Sequence, residues 1–240
     1  MRSSRAALAA VLVAAAGCAS PPAPPPPAEI PEASVKPGVN DSYRTIRGAA
    51  DVQPWVQRFE VEGREIFDRR LEIVEAVGLK RGDVVADVGA GTGLMVPYFA
   101  AAVSSAGKVY AVDLVPEFLE RVAARAAQDR LSQVQTVLCT EKSVALPFAS
   151  IDVAFVCDTY HHFEYPQNTL QSIRHALRPR GLLVVVDFER VPGTSSDWVM
   201  SHVRAGKETV IAEIEAAGFE LLEERPILEE NYFLRFRRKG

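Results

Sequence analysis

Cysteine is scarce: three in 240 residues, too few for a disulfide framework, and one of them, Cys18, lies close to the N-terminus. A basic surplus is missing as well. Lys and Arg number 27 against 31 Asp and Glu, a formal net charge of −4. That balance argues against a nucleic-acid partner, which normally needs a basic stripe. The one basic run, Arg235, Arg237, Arg238 and Lys239, alternates with Leu234 and Phe236 and reads as a strand with one wet face. Apolar runs of bilayer length are absent too. The run from Ala7 to Ala16 covers ten residues, about half of what a membrane-crossing helix needs.

What the N-terminus does have is the pattern of an export signal over residues 1–17: Arg2 and Arg5, then the ten-residue apolar core, then small residues. The run ends Ala15-Ala16-Gly17-Cys18. It resembles the lipobox of bacterial lipoproteins, in which the peptide is cut before a cysteine that becomes lipid-modified. Gly17 and Cys18 match, while Ala15 stands where Leu is usual. The resemblance implies a lipid anchor on Cys18 and a place in the cell envelope, and Ala19 after the cysteine points to the outer membrane. Ordinary secretion, or a start codon placed upstream of a cytoplasmic enzyme, are the alternatives. Proline then dominates Ser20 to Pro37, with four in a row at Pro24 to Pro27. Each proline removes an amide donor, so residues 18–44 are expected to form a semi-extended spacer holding a domain off a membrane.

From residue 45 to 240 apolar strands alternate with amphipathic helices, the pattern of a mostly parallel sheet covered on both faces. Trp55 to Val77 reads as one or two helices, with Phe59, Ile66, Phe67, Leu71, Val74 and Val77 near helical spacing and Gly78 as the stop. Strands are expected at Asp83–Val88, Lys108–Val112, Val134–Cys139, Val153–Val156 and Gly181–Asp187. Helices are expected over Leu94–Val103, from Pro116, and over Pro166–Leu177 and Glu208–Ala217. Phe219–Glu224 and Tyr232–Phe236 form a closing strand pair.

The segment Asp87-Val88-Gly89-Ala90-Gly91-Thr92-Gly93 sits where a strand hands over to a helix. Glycines there permit a sharp turn and close backbone approach to a ligand, beside free helix amides. The nicotinamide pattern Gly-x-Gly-x-x-Gly fails, because its third glycine would fall at Leu94. Asp-x-Gly-x-Gly-x-Gly instead resembles the first motif of the class I methyltransferases. Asp113 at the end of Val109-Tyr110-Ala111-Val112-Asp113, the stretch Leu146-Pro147-Phe148, and Leu177-Arg178-Pro179-Arg180-Gly181 extend the likeness. The nearest kin by pattern are small-molecule enzymes of the ubiquinone/menaquinone-biosynthesis type.

The resemblance implies a Rossmann-like, doubly wound α/β fold with a seven-stranded sheet in the order 3-2-1-4-5-7-6 and N-terminal helices. It implies S-adenosylmethionine as cofactor, held by Asp87, Gly89, Ala90, Gly91, Gly93, Asp113 and Leu114, with Asp113 on the ribose hydroxyls. Glu141 is the nearest acid for the adenine, although its spacing departs from the family's by about a residue, and Asp158 falls at the methionine end. That strand order places two strands between Cys139 and Cys157, so a disulfide joining them is not expected. Catalytic candidates lie in Asp158-Thr159-Tyr160-His161-His162-Phe163-Glu164. A base is needed only if the acceptor carries a proton, and a histidine near pKa 6.5 suits that task. His162 is favoured over His161. Either could instead pack or cap a turn, and two histidines with flanking acids also allow a metal, though their spacing is not that of the usual ligand sets; the expectation is a site without one. Asp187 and Glu189 read as solvated or paired acids. Two functions remain open: methyl transfer to a small-molecule acceptor, or a non-enzymatic envelope module that keeps the fold.

Overall fold

The computed structural model describes residues 23–240. The leader expected at 1–17 and the lipid anchor expected on Cys18 lie outside the described residues. Helices α1 (Ala49–Phe59), α2 (Glu65–Asp68) and α3 (Arg70–Val77) precede strand β1 (Val84–Val88). There follow α4 (Val96–Val103), β2 (Lys108–Asp113), α5 (Pro116–Gln128), β3 (Val134–Leu138), β4 (Ile151–Cys157), α6 (Pro166–Ala176) and β5 (Leu177–Phe188). Helices α7 (Asp197–His202) and α8 (Lys207–Ala216) and strands β6 (Phe219–Glu224) and β7 (Asn231–Arg238) complete the chain.

The seven strands form one sheet in the order β3-β2-β1-β4-β5-β7-β6, with β7 antiparallel to both its neighbours. This is the doubly wound order expected. Strand β1 shows why both faces are covered. Val85 belongs to one apolar layer with Ile73, Phe99 and Val103, while Ala86 and Val88 belong to the opposite layer with Leu170, Ile173 and Ile214. Successive strand side chains point to opposite faces, so a strand apolar at both parities must lie inside. A third, smaller cluster packs Ile46 and Val52 of the N-terminal segment on Val115 and Phe118 of the β2–α5 region. That cluster roofs the carboxyl ends of the first strands.

The structure differs from the sequence expectation in four places. The Trp55–Val77 stretch forms three helices, because the chain breaks over Glu60–Arg64, where Gly63 takes φ +89°. Leu71, expected on the apolar stripe, is 62% exposed. Strand β5 starts at Leu177, ahead of the expected Gly181, because Leu177 pairs with Ile151 before the register shifts and Leu182 pairs with Val153. The fourth concerns residues 18–44, expected as a free spacer: from Ile30 onward the chain is docked on the domain. Ile30 N donates to Asn168 Oδ1 at 2.8 Å, and Val35 N to the Glu164 carbonyl at 2.9 Å. The Glu32 carboxylate accepts from Gln167 N at 2.9 Å and Asn168 N at 3.0 Å. These are free amides at the start of α6, which a carboxylate satisfies well.

Candidate active site

The carboxyl ends of β1, β2 and β4 open into a cleft of about 630 Å³, the edge where open α/β sheets place ligands. One wall is built from backbone turns and acids. Gly89 N and Ala90 N donate to the Val112 carbonyl at 2.8 and 3.0 Å, folding the turn back onto β2. All three glycines of the motif have positive φ: 76° at Gly89, 53° at Gly91 and 86° at Gly93. A Cβ at Gly89 would stand 2.3 Å from Thr159 Cγ2, and one at Gly93 2.7 Å from Val122 Cγ2. Those two glycines answer to packing inside the protein. At Gly91 the nearest atoms are those of Phe59 at 3.8 Å, so this glycine keeps the cleft open.

Asp113 ends β2 in a buried position. Its Oδ2 accepts from Gly91 N at 2.7 Å and its Oδ1 from Val115 N at 2.9 Å. Burial outweighs these bonds and pushes its pKa up to about 6. Asp87 is pushed up to about 7, by burial first and then by the charge of Asp113. Two buried acids reluctant to ionise favour a ligand that brings positive charge or hydroxyl donors.

The other wall begins at the end of β4. Asp158 sits at φ +46°, strained for a residue with a side chain. Its Oδ2 meets Arg64 Nη2 at 2.5 Å and its Oδ1 accepts from Asn231 Nδ2 at 2.7 Å. Burial raises its pKa against the pull of Arg64. A short turn, Tyr160–His162, then presents two imidazoles. Asp187 Oδ1 lies 2.7 Å from His161 Nδ1, and Asp187 Oδ2 accepts from His161 N at 3.0 Å. This buried, paired acid holds the ring with Nδ1 as donor and Nε2 free. His162 Nε2 lies 3.4 Å from Nε2 of His202 on α7, while its buried Nδ1 has no partner. Burial, then the neighbouring His161 and His202, push the pKa of His162 down to about 2. His202 is pushed down to about 4, by burial first. Tyr43 closes edge-on to His162 at 5.3 Å, and Trp198 stacks on His202 at 4.7 Å.

Residues 86–185 match the family model of a methyltransferase domain. A ubiquinone/menaquinone biosynthesis C-methyltransferase of Hydrogenovibrio crunogenus is 23% identical over 170 residues, 68% of this chain and 63% of that protein. The chain thus spans less than two thirds of that relative's length. A S-adenosylmethionine-dependent methyltransferase structure from Aquifex aeolicus superposes with a TM-score of 0.69 at 23% identity, covering 77% of this chain and 97% of that one. The fold is the Rossmann-like methyltransferase fold. A phosphoethanolamine N-methyltransferase of Haemonchus contortus, solved with S-adenosyl-L-methionine, shares it at 14% identity, with a TM-score of 0.63 over 82% of this chain and 61% of that one.

Within this methyltransferase fold, Asp87, Gly89, Ala90, Gly91, Asp113, Leu114, Glu141, Asp158, His161 and His162 all line the one cleft. Gly93 does not line it: it is packed against Val122 of α5. Glu141 is ion-paired with the Arg44 guanidinium. For His162, expected to act with an ordinary histidine pKa, burial and the neighbouring imidazoles lower that pKa to about 2. His202, Arg64 and Asn231 were not singled out from the sequence. Arg64 and Asn231 reach Asp158 over 94 and 73 residues of chain, and no local spacing signals such contacts.

Proposed function

We propose that the protein transfers a methyl group from S-adenosylmethionine to a small-molecule acceptor. The observation that carries this is the open glycine turn at Gly91 flanked by the two buried acids, Asp87 and Asp113. The residues fit the cofactor: Gly91 leaves room for it, and acids held above their ordinary pKa gain from a ligand carrying hydroxyls, an ammonium and a sulfonium. Bound there, S-adenosylmethionine supplies an electrophilic methyl group. Asp113 would accept from the ribose hydroxyls, Leu114 would pack on the nucleoside, and Glu141 would turn from Arg44 to the adenine. Asp87 and Asp158 would hold the methionine end. In-line methyl transfer mainly needs proximity and alignment, which the aromatic wall of Tyr43, Trp55 and Phe59 serves by excluding water and seating an apolar or aromatic acceptor. An acceptor that carries a hydroxyl would seat it at the His161–His162–His202 corner of the cleft.

The names of the relatives support this reading, and the intact turn with both acids disfavours a non-enzymatic module. With a net charge of −4, the acceptor is no nucleic acid. A lipid on Cys18 would hold the domain on a membrane of the bacterial envelope. Calorimetric titration of the purified protein with S-adenosylmethionine and S-adenosylhomocysteine tests the cofactor. Both should bind, and Asp113→Asn should weaken binding about tenfold or more through lost charge-assisted hydrogen bonds. No heat of binding with the parent protein, or equal binding by the variant, overturns the proposal.

A further inference from the structure

The chain has four histidines, and three of them meet. His161, His162 and His202 bring ring nitrogens within 4.8 Å of one another, all on the cleft. The fourth, His175, packs on Phe148 at 5.1 Å, and neither residue lines the cleft. Three imidazoles from two segments 40 residues apart are a costly arrangement unless something gathers them.

The distances fit a metal ion. The Nε2 atoms of His162 and His202 stand 3.4 Å apart, at the long end for a hydrogen bond between two nitrogens. Two nitrogens on one tetrahedral zinc, each at about 2.0–2.1 Å, are separated by ~3.3–3.4 Å. That is the observed spacing. His161 is prepared in the same sense. Asp187, whose Oδ1 also accepts from Phe188 N at 2.8 Å, accepts a hydrogen bond from His161 Nδ1–H and leaves the Nε2 lone pair free. A carboxylate behind a histidine is the usual outer support of a metal ligand. The third nitrogen lies within 4.8 Å of the other two and would need to close by up to ~1.4 Å to reach the tetrahedral spacing. Lys36, bonded to the Ser201 carbonyl at 3.3 Å, brings positive charge to the same corner, and the Asp187 carboxylate offsets it.

We propose that His161, His162 and His202 form a three-histidine site for a divalent transition metal, zinc by ligand type, with its fourth position facing the cleft. It rests on the methyl-transfer reading only in what fills that position: an oxygen of the acceptor, which makes hydroxyl- or phenol-bearing molecules the acceptor class. Oxygen is a normal fourth ligand beside three histidines.

Untagged protein, stripped with a chelator and dialysed, is titrated with Co²⁺ and then Zn²⁺ in the absence of S-adenosylmethionine. One equivalent of Co²⁺ should bind with visible absorption bands of a nitrogen-rich site and be displaced by Zn²⁺. His202→Ala, on a short surface helix, should weaken Co²⁺ binding about a hundredfold, and Asp187→Asn about tenfold or more. His175→Ala should leave it unchanged. Circular dichroism confirms that the variants are folded. Absence of stoichiometric Co²⁺ binding, or equal binding by folded His202→Ala, overturns the site. Because cobalt is read without the cofactor, its failure is distinct from a failure to bind S-adenosylmethionine.

Discussion

Gly91 and Gly93 look equivalent in the motif, yet one added methyl group at each should separate binding from stability. At Gly91, with φ +53°, an added Cβ meets nothing nearer than Phe59 at 3.8 Å. Alanine in left-handed backbone costs about 1–2 kcal/mol. A domain of this size loses roughly 2–4 °C in Tm per kcal/mol, so Gly91→Ala should melt about 2–8 °C lower. Its methyl, however, stands on the cleft side of a turn whose backbone N holds the Asp113 carboxylate at 2.7 Å. Cofactor affinity should fall by about tenfold or more as the close approach is lost. At Gly93, with φ +86°, the added Cβ would lie 2.7 Å from Val122 Cγ2. Overpacking of about 1–3 kcal/mol adds to the backbone cost, giving a loss of roughly 2–5 kcal/mol and the larger fall in Tm. That methyl points away from the cleft, so the folded fraction should bind S-adenosylmethionine nearly as the parent does. Scanning calorimetry and isothermal titration at low temperature measure the two effects separately. Parent-like affinity in Gly91→Ala, or lost affinity without lost stability in Gly93→Ala, would refute the division of roles.

Glu32→Ala should lower stability by about 1–2 kcal/mol, as other lost helix caps do, because Gln167 N and Asn168 N lose their acceptor; chemical denaturation checks it, and an unchanged midpoint would mean the segment is not docked in solution. Asp113 and Asp87 are raised to about 6 and about 7, so the folded protein holds protons that the unfolded chain releases near the ordinary 3.8. The stability this contributes is complete below about pH 4 and is lost as pH rises through about 6 to 7. The Tm of the cofactor-free protein should fall over that window, less so in Asp113→Asn, while affinity for cationic S-adenosylmethionine rises; an identical Tm profile in the variant would contradict the assignment. Cys18→Ser should block processing by the lipoprotein peptidase, read by fractionation and N-terminal mass spectrometry; native protein in the cytosol with Met1 intact would remove the anchor.

Most of the sheet was legible because the central strands are apolar at both parities, as β1 shows, and helices such as α5 and α6 are amphipathic. Pro116 and Pro166 marked helix starts for a local reason, a missing amide that the first turn does not need. What stayed hidden was decided by distant partners. Helix α7 has six residues, and its capping Ser196 side chain accepts from Val199 N at 3.3 Å; nothing that short carries a periodic signal. His202 is therefore invisible as a partner of His161 and His162 until the fold brings α7 to the end of β4. The glycine motif was legible as a turn, but not which glycine faces solvent, because Thr159 and Val122 set that from elsewhere in the chain. The proline-rich stretch promised extension, and Ile30, Glu32 and Val35 show that an extended chain can still lie along a helix.

The two walls of the cleft also differ in what similarity can say about them. The family match ends at residue 185 and begins at 86, which takes in the glycine turn, Asp113, Asp158 and the two adjacent histidines. Tyr43, Trp55, Phe59, Arg64, Phe188, Trp198 and His202, all on the cleft, fall outside it. The matched core supplies the strand ends, whereas the wall proposed to face the acceptor is built from segments that lie before and after residues 86–185. Acceptor choice should therefore be alterable without touching the cofactor. Trp198 tests this: it stacks on His202 at 4.7 Å and meets Phe188 edge-on at 5.3 Å, while remaining 42% exposed. Trp198→Ala removes an aromatic partner worth about 0.5–1.5 kcal/mol per contact beyond its area. Affinity for S-adenosylmethionine should stay within about twofold of the parent, while KM for an aromatic hydroxyl acceptor rises about tenfold or more through lost acceptor binding. Should both fall together in a variant that keeps its Tm, the walls are not independent, and the acceptor cannot be read from the segments outside the matched core.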